Sequence, residues 1–493
     1  MTPLDISSSQ IASPLLDALQ LYAQSSNAPF YTPGHKRGQG TPGILTDLFG
    51  SRIWRSDLPE LPELDNLFAP QGAIKAAQDL AAKAFGAEQT WFLINGSTCG
   101  VIAAILATCE AGDKIILPRN VHQSAISGLI LSGAVPIFVN PDYDAALDIA
   151  HSVTPQAVEQ ALRQHPDSKA VMIVYPTYYG VCGDVGTIAA LAHQHNIPLL
   201  ADEAHGAHFA FHPELPDSAL SAGADLTVQS THKTLSALTQ AAMLHCQGSR
   251  VDRDRVSKAL QLVQSTSPSY LLLASLDAAR QQMATQGSSL MEETLGLADQ
   301  ARSRIHQIPH LSTLNPEQAG QTSGFWALDR TRLTVTVSEL GIDGFRADEI
   351  LHQTLGVTAE FPSLQHLTFI ISLGNTQADI DRLVQAFFTL ATLEKSPIQK
   401  TPASFKFQGS KPSPLSPHQA FFAPSETLAI AQTVDRISAE LVCPYPPGIP
   451  VLLPGEQISE AAIADLQEIL ASGGMISGCA DSSLKTLQVV KGA

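Results

Sequence analysis

The architecture of this chain is indicated by two stretches, Leu199-Leu200-Ala201-Asp202-Glu203-Ala204-His205 and Ala224-Asp225-Leu226-Thr227-Val228-Gln229-Ser230-Thr231-His232-Lys233. Each has a short apolar run, as a buried strand does, followed by polar residues. Open α/β sheets bind ligands at the carboxyl ends of their strands, where such polar residues lie. We therefore predict that Asp202 and Lys233 lie close together at one edge of a sheet.

A third stretch has the pattern of a strand, a turn and a helix start. The apolar run at 90–94 is followed by Asn95-Gly96-Ser97-Thr98-Cys99-Gly100 and then by a helix-like run at 101–106. Unpaired N–H groups and the positive end of the helix dipole would bind a phosphate there, and the Ser97 and Thr98 hydroxyls would be further donors. Alone this signal is weak, because Ser and Thr cap many helices that bind no ligand.

Together the three stretches contain the parts of a pyridoxal phosphate (PLP) site. Lys233 is an amine that can form a Schiff base with the cofactor, and Asp202 is a carboxylate that can keep the pyridine nitrogen protonated. A buried Asp and Lys need charged partners, which a charged cofactor would supply. The combination, more than any one stretch, predicts PLP as the cofactor.

The central part of the chain alternates between helical and strand patterns. Helices are predicted at 74–85 and 188–195, and strands at 114–117, 134–139 and 170–174. Alternation of this kind is typical of an α/β fold with a mostly parallel sheet and helices on both faces.

A chain of 493 residues exceeds one simple core, so several domains are expected. The predicted segments are an N-terminal helical arm at 1–30, a large cofactor-binding domain at 31–290, a smaller α/β domain at 291–395, a Pro/Ser-rich linker at 396–417 and a C-terminal domain at 418–493. Within the last of these, residues 443–456 contain too much proline for a helix. They are expected to form either an ordered coil or a wall of the active site.

Composition excludes several classes of protein. A formal charge of −17 argues against nucleic-acid binding. The six cysteines contain no C-x-x-C pair, which argues against a disulfide framework or a zinc-finger pattern and favours a reducing compartment. Neither a signal-type N-terminus nor an apolar run long enough to cross a bilayer is present. We expect a cytoplasmic protein with no membrane or nucleic-acid partner.

The chain resembles the bacterial ornithine/lysine/arginine decarboxylases, which are PLP-dependent enzymes of the aspartate aminotransferase fold (fold type I). The resemblance extends over nearly the whole length. It rests on Pro33-Gly34-His35-Lys36, Leu61-Pro62-Glu63-Leu64-Asp65-Asn66-Leu67, Asn95-Gly96-Ser97-Thr98, Asp202-Glu203-Ala204-His205-Gly206-Ala207-His208, Ser230-Thr231-His232-Lys233, Thr266-Ser267-Pro268-Ser269-Tyr270 and Tyr445-Pro446-Pro447-Gly448-Ile449-Pro450. Because the first motif starts at residue 33, the chain looks like a short member that lacks the N-terminal wing domain.

The resemblance implies that the large domain contains a mostly parallel sheet of about seven strands. It also implies a role for each motif residue. Lys233 would hold the cofactor and Asp202 would pair with its pyridinium nitrogen. The phosphate would be bound by Gly96, Ser97, Thr98, Ser230 and His232, while His122 would stack over the ring, Ala204 would pack beneath it and His205 would lie near its hydroxyl group.

The implied reaction converts lysine, arginine or ornithine into CO2 and cadaverine, agmatine or putrescine, as in polyamine metabolism. Either Lys233 or His232 would donate the proton that replaces CO2. Substrate contacts are expected by motif position from Glu63, Ser267 and Glu456, with Glu60 and Asp65 as further candidates. The loop at 266–270 would reach the site of a neighbouring subunit in a homodimer.

Other interpretations were weighed against this one. Asp202-Glu203-Ala204-His205 also spells a helicase box, but the chain has no G-x-x-x-x-G-K-[ST] phosphate loop. His208 and His212 add metal-ligand types to that stretch, yet a metal hydrolase would give Lys233 no role, and no metal site is predicted. An aminotransferase, a lyase and a non-catalytic PLP-binding protein stay open. Residues 370–376 contain no Arg to hold the substrate carboxylate of an aminotransferase.

Overall fold

A computed structural model describes residues 10–392, 413–445, 449–471 and 473–492. Most of the predicted linker, and residues 446–448 of the proline-rich segment, lie outside the described residues. The α-helices are α1 Pro14–Ala23, α2 Gly43–Phe49, α3 Arg52–Ser56, α4 Ala73–Phe85, α5 Gly96–Thr108, α6 Gln123–Ser132, α7 Pro155–Gln164, α8 Val185–Gln194, α9 Thr231–Thr234, α10 Arg253–Val263, α11 Tyr270–His306, α12 Gly344–Ile350, α13 Gln377–Thr392, α14 Pro417–Phe422 and α15 Glu460–Ala471.

The strands are short. They are β1 Gln89–Leu93, β2 Lys114–Pro118, β3 Val135–Val139, β4 Tyr143–Asp144, β5 Ile149–Ala150, β6 Ala170–Val174, β7 Val181–Cys182, β8 Leu199–Asp202, β9 Leu226–Gln229, β10 Ala242–Cys246, β11 Ser312–Thr313, β12 Ala327–Leu328, β13 Arg332–Thr336, β14 Phe361–Pro362, β15 His366–Ile370, β16 Ser425–Ala429, β17 Cys443–Tyr445, β18 Met475–Ser477 and β19 Thr486–Val490.

The main sheet has seven strands in the order β1-β10-β9-β8-β6-β2-β3. β2 pairs in parallel with β3 and β6, whereas β10 runs antiparallel to β1 and β9. Strands β2, β6, β8, β9 and β10 are almost entirely buried, which explains why their sequences are continuous apolar runs without alternation. The predicted α/β architecture with a mostly parallel sheet is confirmed.

The chain divides into two compact units. The first unit comprises Met1–Ala107 and Asp202–Met291, and the second comprises Thr108–Ala201 and Glu292–Ala493. Helix α11 runs through the predicted domain boundary at residue 290, so that boundary does not coincide with the end of an element.

Helix α5 packs closely on the strands of the first unit because Gly100 has no side chain. A Cβ atom at Gly100 would lie 2.6 Å from Val228 Cγ1 and 2.7 Å from Leu93 Cδ1, closer than real carbon contacts allow. This close packing fixes the start of α5 relative to β1 and β9, the strand that precedes Lys233.

A buried ion pair fastens the first described residues to α11. Arg280 and Asp277 are both fully buried and paired, and Arg280 Nη1 donates to the Gln10 carbonyl at 2.8 Å. Asp277 Oδ2 accepts the Leu15 N–H at 2.9 Å, at the start of α1. Because each charge is hydrogen-bonded as well as paired, the cost of burying it is offset.

The second unit contains a four-stranded sheet in the order β11-β13-β15-β14, with antiparallel pairs. Helix α13 buries Ile380, Leu383, Phe387 and Leu390, a helical spacing, in the core formed with these strands. Further along, β16 pairs with β19 and β17 with β18. Among the described residues, no helix is long and apolar enough to span a bilayer.

Candidate active site

Lys233 lies in α9, the single helical turn that follows β9. Its N–H donates to the Ser230 carbonyl at 3.1 Å, and its side chain is half-buried. Nζ of Lys233 lies 3.1 Å from Nε2 of His205. The amine therefore has a neighbour with which it can share a proton.

Asp202 is the last residue of β8 and is only 7% exposed. Burial raises the pKa of the Asp202 carboxyl above its ordinary value, while the positive charge of Lys233 and a hydrogen bond from the Ala204 N–H act in the opposite direction. The Ala204 N–H lies 3.3 Å from Asp202 Oδ1. A second positive group beside Asp202 would favour the ionised form of the carboxylate. A protonated pyridine nitrogen is such a group.

The two predicted phosphate-binding stretches meet through their serines. Ser230 Oγ donates to Ser97 Oγ at 2.7 Å, although the two residues are 133 positions apart. Gly96, with φ +73°, starts α5, and its N–H donates to the Gln240 carbonyl at 2.9 Å. The hydroxyl pair thus lies at the positive end of a helix dipole, where an anion is stabilised.

The turn after Asp202 is tied to the turn before Lys233. The Ser230 N–H donates to the Ala204 carbonyl at 3.3 Å, and the Gly206 N–H donates to the Glu203 carbonyl at 2.9 Å. Ala204 is 8% exposed. The first unit therefore brings Asp202, Ala204, His205, Ser97, Ser230 and Lys233 together.

The two other predicted histidines have defined hydrogen bonds. His232 Nδ1 donates to the Ala241 carbonyl at 3.0 Å, which fixes its ring and its tautomer. His122 belongs to the second unit, where its Nδ1 accepts the Ser124 N–H at 3.2 Å and caps α6. Its predicted stacking on the cofactor stays a prediction.

The predicted substrate residues differ in their surroundings. Glu63 and Ser267 are exposed in the first unit. Glu456, in the second unit, pairs with Arg119 at 3.0 Å and also accepts the Leu453 N–H. Arg119 additionally donates to the Pro450 and Val451 carbonyls, so it fastens the described part of the proline-rich segment to the end of β2.

Glu60 and Asp65 stabilise their own loop. Glu60 accepts hydrogen bonds from the Leu67 N–H and the Asn66 side chain. Asp65 accepts backbone N–H groups from both sides of the start of α4, namely those of Asn66, Gln71, Gly72, Ile74 and Lys75. Tyr270 Oη donates to the Asp65 carbonyl at 2.6 Å, so the 61–67 and 266–270 motifs form one structure.

Sequence reasoning missed two groups at this site. Thr231 lies in the sequence between Ser230 and His232, the two residues that are predicted to bind phosphate. Its hydroxyl is buried and has no hydrogen-bond partner within the described residues. Glu203 is fully buried, and its carboxyl contacts Gln229 and Ala219. The sequence analysis includes Glu203 only in the helicase-box and metal-ligand interpretations and gives it no role at the cofactor site.

The side chains at this site correspond to the functional groups of PLP. The buried carboxylate of Asp202, with Lys233 as a cationic neighbour, matches the pyridine nitrogen. The Lys233 amine matches the aldehyde. The Ser97 and Ser230 hydroxyls at a helix start, together with the buried Thr231 hydroxyl, which is unpaired among the described residues, match the phosphate. The residues therefore fit the cofactor. Across the described ranges, no group of three or more His, Cys, Asp or Glu side chains is arranged to hold a metal ion.

Comparison with known proteins gives consistent results. Residues 13–379 match the family model described as Orn/Lys/Arg decarboxylase, major domain, and residues 407–474 match its C-terminal domain. The chain is 39% identical over 484 residues to an arginine decarboxylase of Bacillus subtilis (strain 168), covering 98% of this chain and 99% of the relative. It is 27% identical to a lysine decarboxylase of Pseudomonas aeruginosa, covering 91% of this chain and 74% of that protein.

Solved structures show the same fold. The crystal structure of the Francisella novicida lysine decarboxylase has a TM-score of 0.87 at 23% identity, covering 98% of this chain and 82% of that one. A Sphingomonas wittichii serine palmitoyltransferase has a TM-score of 0.53 at 12% identity. The predicted PLP fold type I architecture is confirmed.

Proposed function

The chain belongs to the Orn/Lys/Arg decarboxylase family, and we propose that it is a PLP-dependent decarboxylase of basic amino acids whose preferred substrate is arginine. The observation that carries the proposal is the convergence of Lys233 and Asp202 beside the Ser97–Ser230 hydroxyl pair. An amine, a buried carboxylate and an anion-binding helix start are the groups that PLP needs from a protein.

When bound, PLP supplies an electron sink that stabilises the carbanion left by CO2 loss. Lys233 would hold the cofactor through its side-chain amine. Asp202 would keep the pyridine nitrogen protonated, because its burial makes pairing with a cation strongly favourable. Ser97 and Ser230 would bind the phosphate, with the Thr231 hydroxyl as a further donor.

We assign the proton that replaces CO2 to Lys233. Its Nζ lies 3.1 Å from His205 Nε2, so His205 can resupply the amine with a proton. His232 holds its Nδ1 proton in a bond to the Ala241 carbonyl and would serve the phosphate through its other nitrogen. The buried surroundings of Ser230 and Asp202 would exclude water and so protect the carbanion from side reactions.

The preference for arginine rests on relatives that align with nearly the whole chain. Arginine decarboxylases of Bacillus subtilis (strain 168) and Bacillus anthracis are 39% and 38% identical to this chain over 98% of its length. A guanidinium group needs planar, paired acceptors, whereas an ammonium group needs only nearby charge. Of the predicted substrate residues, we propose that Glu63 binds this distal cation, since Glu456 already pairs with Arg119.

The experiment is a substrate panel on the full-length protein with added PLP. Amine products from arginine, lysine, ornithine and a neutral amino acid would be quantified by chromatography, and kcat/KM compared. We expect agmatine as the main product, with arginine favoured by roughly 10-fold or more over lysine and ornithine, as pocket length and hydrogen bonding would dictate. A higher kcat/KM for lysine or ornithine would contradict the arginine assignment while leaving the decarboxylase intact.

We further propose that the active unit is a homodimer, as the resemblance implies for the loop at 266–270. Sedimentation and activity would be followed on dilution. Activity that falls as the dimer dissociates is the expected result. A fully active monomer would contradict it.

A further inference from the structure

Four buried polar side chains form a continuous hydrogen-bonded series in the first unit. We call Thr90, His245, Gln229 and Glu203 the buried chain. Thr90 Oγ1 lies 2.8 Å from His245 Nδ1, His245 Nε2 lies 3.1 Å from Gln229 Oε1, and Gln229 Nε2 lies 2.8 Å from Glu203 Oε2. Each of the four residues is at most 3% exposed.

The buried chain runs across three neighbouring strands of the main sheet and ends just after a fourth. Thr90 is on β1, His245 on β10 and Gln229 on β9, while Glu203 directly follows β8, and these strands are neighbours in that order. Thr90 lies opposite His245 in the register, and Gln229 lies opposite Met243, two residues from His245 and therefore on the same face. The series is thus a feature of one sheet face.

The donors of Thr90, His245 and Gln229 all point towards Glu203. Gln229 Oε1 can only accept, so His245 Nε2 carries the hydrogen and Nδ1 accepts the Thr90 hydroxyl. Gln229 Nε2 then donates to Glu203, whose other oxygen accepts the Ala219 N–H at 2.7 Å. Aligned hydrogen bonds polarise one another in a buried setting, so the loss of one weakens the next.

Glu203 connects the buried chain to the candidate active site. Asp202 and Glu203 are consecutive, and consecutive residues of an extended strand point to opposite faces. The Glu203 N–H donates to the Val228 carbonyl at 2.9 Å. Gly206 packs so closely on Glu203 that a Cβ there would lie 2.8 Å from Glu203 Cγ. Glu203 therefore packs against the turn that follows Asp202, on the face opposite to the Asp202 side chain.

We propose that Glu203 is a positioning residue: the buried chain fixes its carboxyl group and so holds Asp202, Ala204 and His205 in place for the cofactor. Glu203 itself acts only through these neighbours. The inference rests on the proposed function, because it concerns how tightly PLP is held.

The test compares two substitutions at the far end of the buried chain in the full-length protein. Thr90→Val keeps the shape and removes the hydroxyl, whereas Thr90→Ser keeps the hydroxyl and removes a methyl group. PLP affinity would be measured by absorbance titration, and thermal unfolding of the cofactor-free protein would check folding. We expect roughly threefold weaker PLP binding for Thr90→Val and affinity near that of the wild type for Thr90→Ser. If Thr90 served packing alone, Thr90→Ser would be the weaker binder.

A second pair tests Glu203 directly. Glu203→Gln can still accept the Ala219 N–H, and its amide can donate to Gln229 if the Gln229 amide and the His245 tautomer reverse. Glu203→Leu has neither option. We expect Glu203→Gln to retain most PLP affinity and Glu203→Leu to lose about 10-fold or more, on the scale of one lost buried hydrogen bond.

The outcomes separate this inference from the proposed function. Wild-type protein that binds PLP, with Glu203→Leu binding it equally well, would overturn the positioning role alone. Wild-type protein that binds no PLP would overturn both.

Discussion

The carboxyl groups of this protein differ in the cations and hydrogen-bond donors that surround them. Asp202 is buried with Lys233 as its cationic neighbour, whereas Asp65 is held by backbone N–H groups and Glu456 by Arg119. Burial raises the pKa of the Asp202 carboxyl, so a cationic ligand would stabilise its ionised form, whereas the other two carboxylates are stabilised by the protein itself. This difference explains why only Asp202 is assigned to the cofactor.

The first prediction concerns Asp202→Asn. The Asn side chain has the same size, and its carbonyl can accept the Ala204 N–H, so the cofactor-free protein should lose less than about 1 kcal/mol of unfolding free energy. A neutral partner cannot hold the pyridine nitrogen protonated, so kcat should fall by on the order of 10²-fold or more. Steady-state kinetics and urea unfolding would measure the two effects.

Asp225→Asn is the matched control. Asp225 is also buried, at 2% exposure, but it pairs with Arg250 at 3.2 Å. The unfolding free energy of Asp225→Asn should fall while its kcat stays near that of the wild type. An Asp202→Asn protein with the kcat of the wild type would contradict the assigned role.

The second prediction concerns the pH dependence of stability. Burial raises the pKa of Glu203 from 4.5 to about 8, with the hydrogen bonds from Gln229 and Ala219 opposing the shift. The folded protein therefore retains a proton that the unfolded chain loses, and the resulting stability is lost as pH rises from about 4.5 to about 8. Burial also lowers the pKa of His245, from 6.5 to about 3, which makes stability fall as pH drops through that range.

Glu203→Gln isolates the first of these effects, because Gln does not titrate. The unfolding free energy of the wild type minus that of Glu203→Gln should decrease steadily as pH rises from about 5 to about 8. Urea unfolding of both cofactor-free proteins over this pH range measures the difference. A difference that does not change with pH would mean that Glu203 is ionised throughout.

At the scale of elements, the helices and strands that the sequence predicts in the central part of the chain lie within a few residues of their bounds in the structure. The strand predicted at 170–174 has the bounds Ala170–Val174, and the helix predicted at 74–85 begins one residue earlier, as Ala73–Phe85. Helix α11 was not predicted as one element, because Asp277 and Arg280 occupy fully buried positions where an apolar pattern is expected. Hydrophobic periodicity cannot detect a buried ion pair that faces the N-terminal residues.

The third prediction concerns the loop before α4. Asp65→Asn keeps the size and tolerates the backbone of Asp65, whose φ is +78°. The new amide nitrogen would face backbone N–H groups that now donate to Oδ1 or Oδ2 of Asp65. We expect a loss of about 2 kcal/mol in unfolding free energy, the upper range for a lost helix cap.

Urea unfolding of Asp65→Asn and Glu63→Gln would check this. Glu63 is exposed in the same loop, so its substitution should change stability by less than about 0.5 kcal/mol. Equal stabilities of the two variants would show that the Asp65 hydrogen bonds do not stabilise the loop.

For the whole molecule, the two compact units are each built from segments distant in sequence. Composition and linker signals find boundaries along the chain, so the predicted segments were contiguous, whereas Met1–Ala107 forms a unit with Asp202–Met291. The candidate site was nevertheless predictable, because its residues lie at the ends of β8 and β9 and at the start of α5. The hydrogen-bond partners of Glu456 and Glu203 could not be predicted. Arg119 is 337 positions from Glu456, and Gln229, the partner of Glu203, belongs to another strand.

The central claim is that Lys233 and its neighbours form the site of a PLP-dependent decarboxylase. The most direct test is CO2 release from arginine by the full-length protein with PLP, compared with Lys233→Ala and with Lys258→Ala as a control lysine on α10. We predict release by the wild type and by Lys258→Ala, with loss on the order of 10³-fold or more in Lys233→Ala. No CO2 from any basic amino acid, or undiminished release by Lys233→Ala, would contradict the claim.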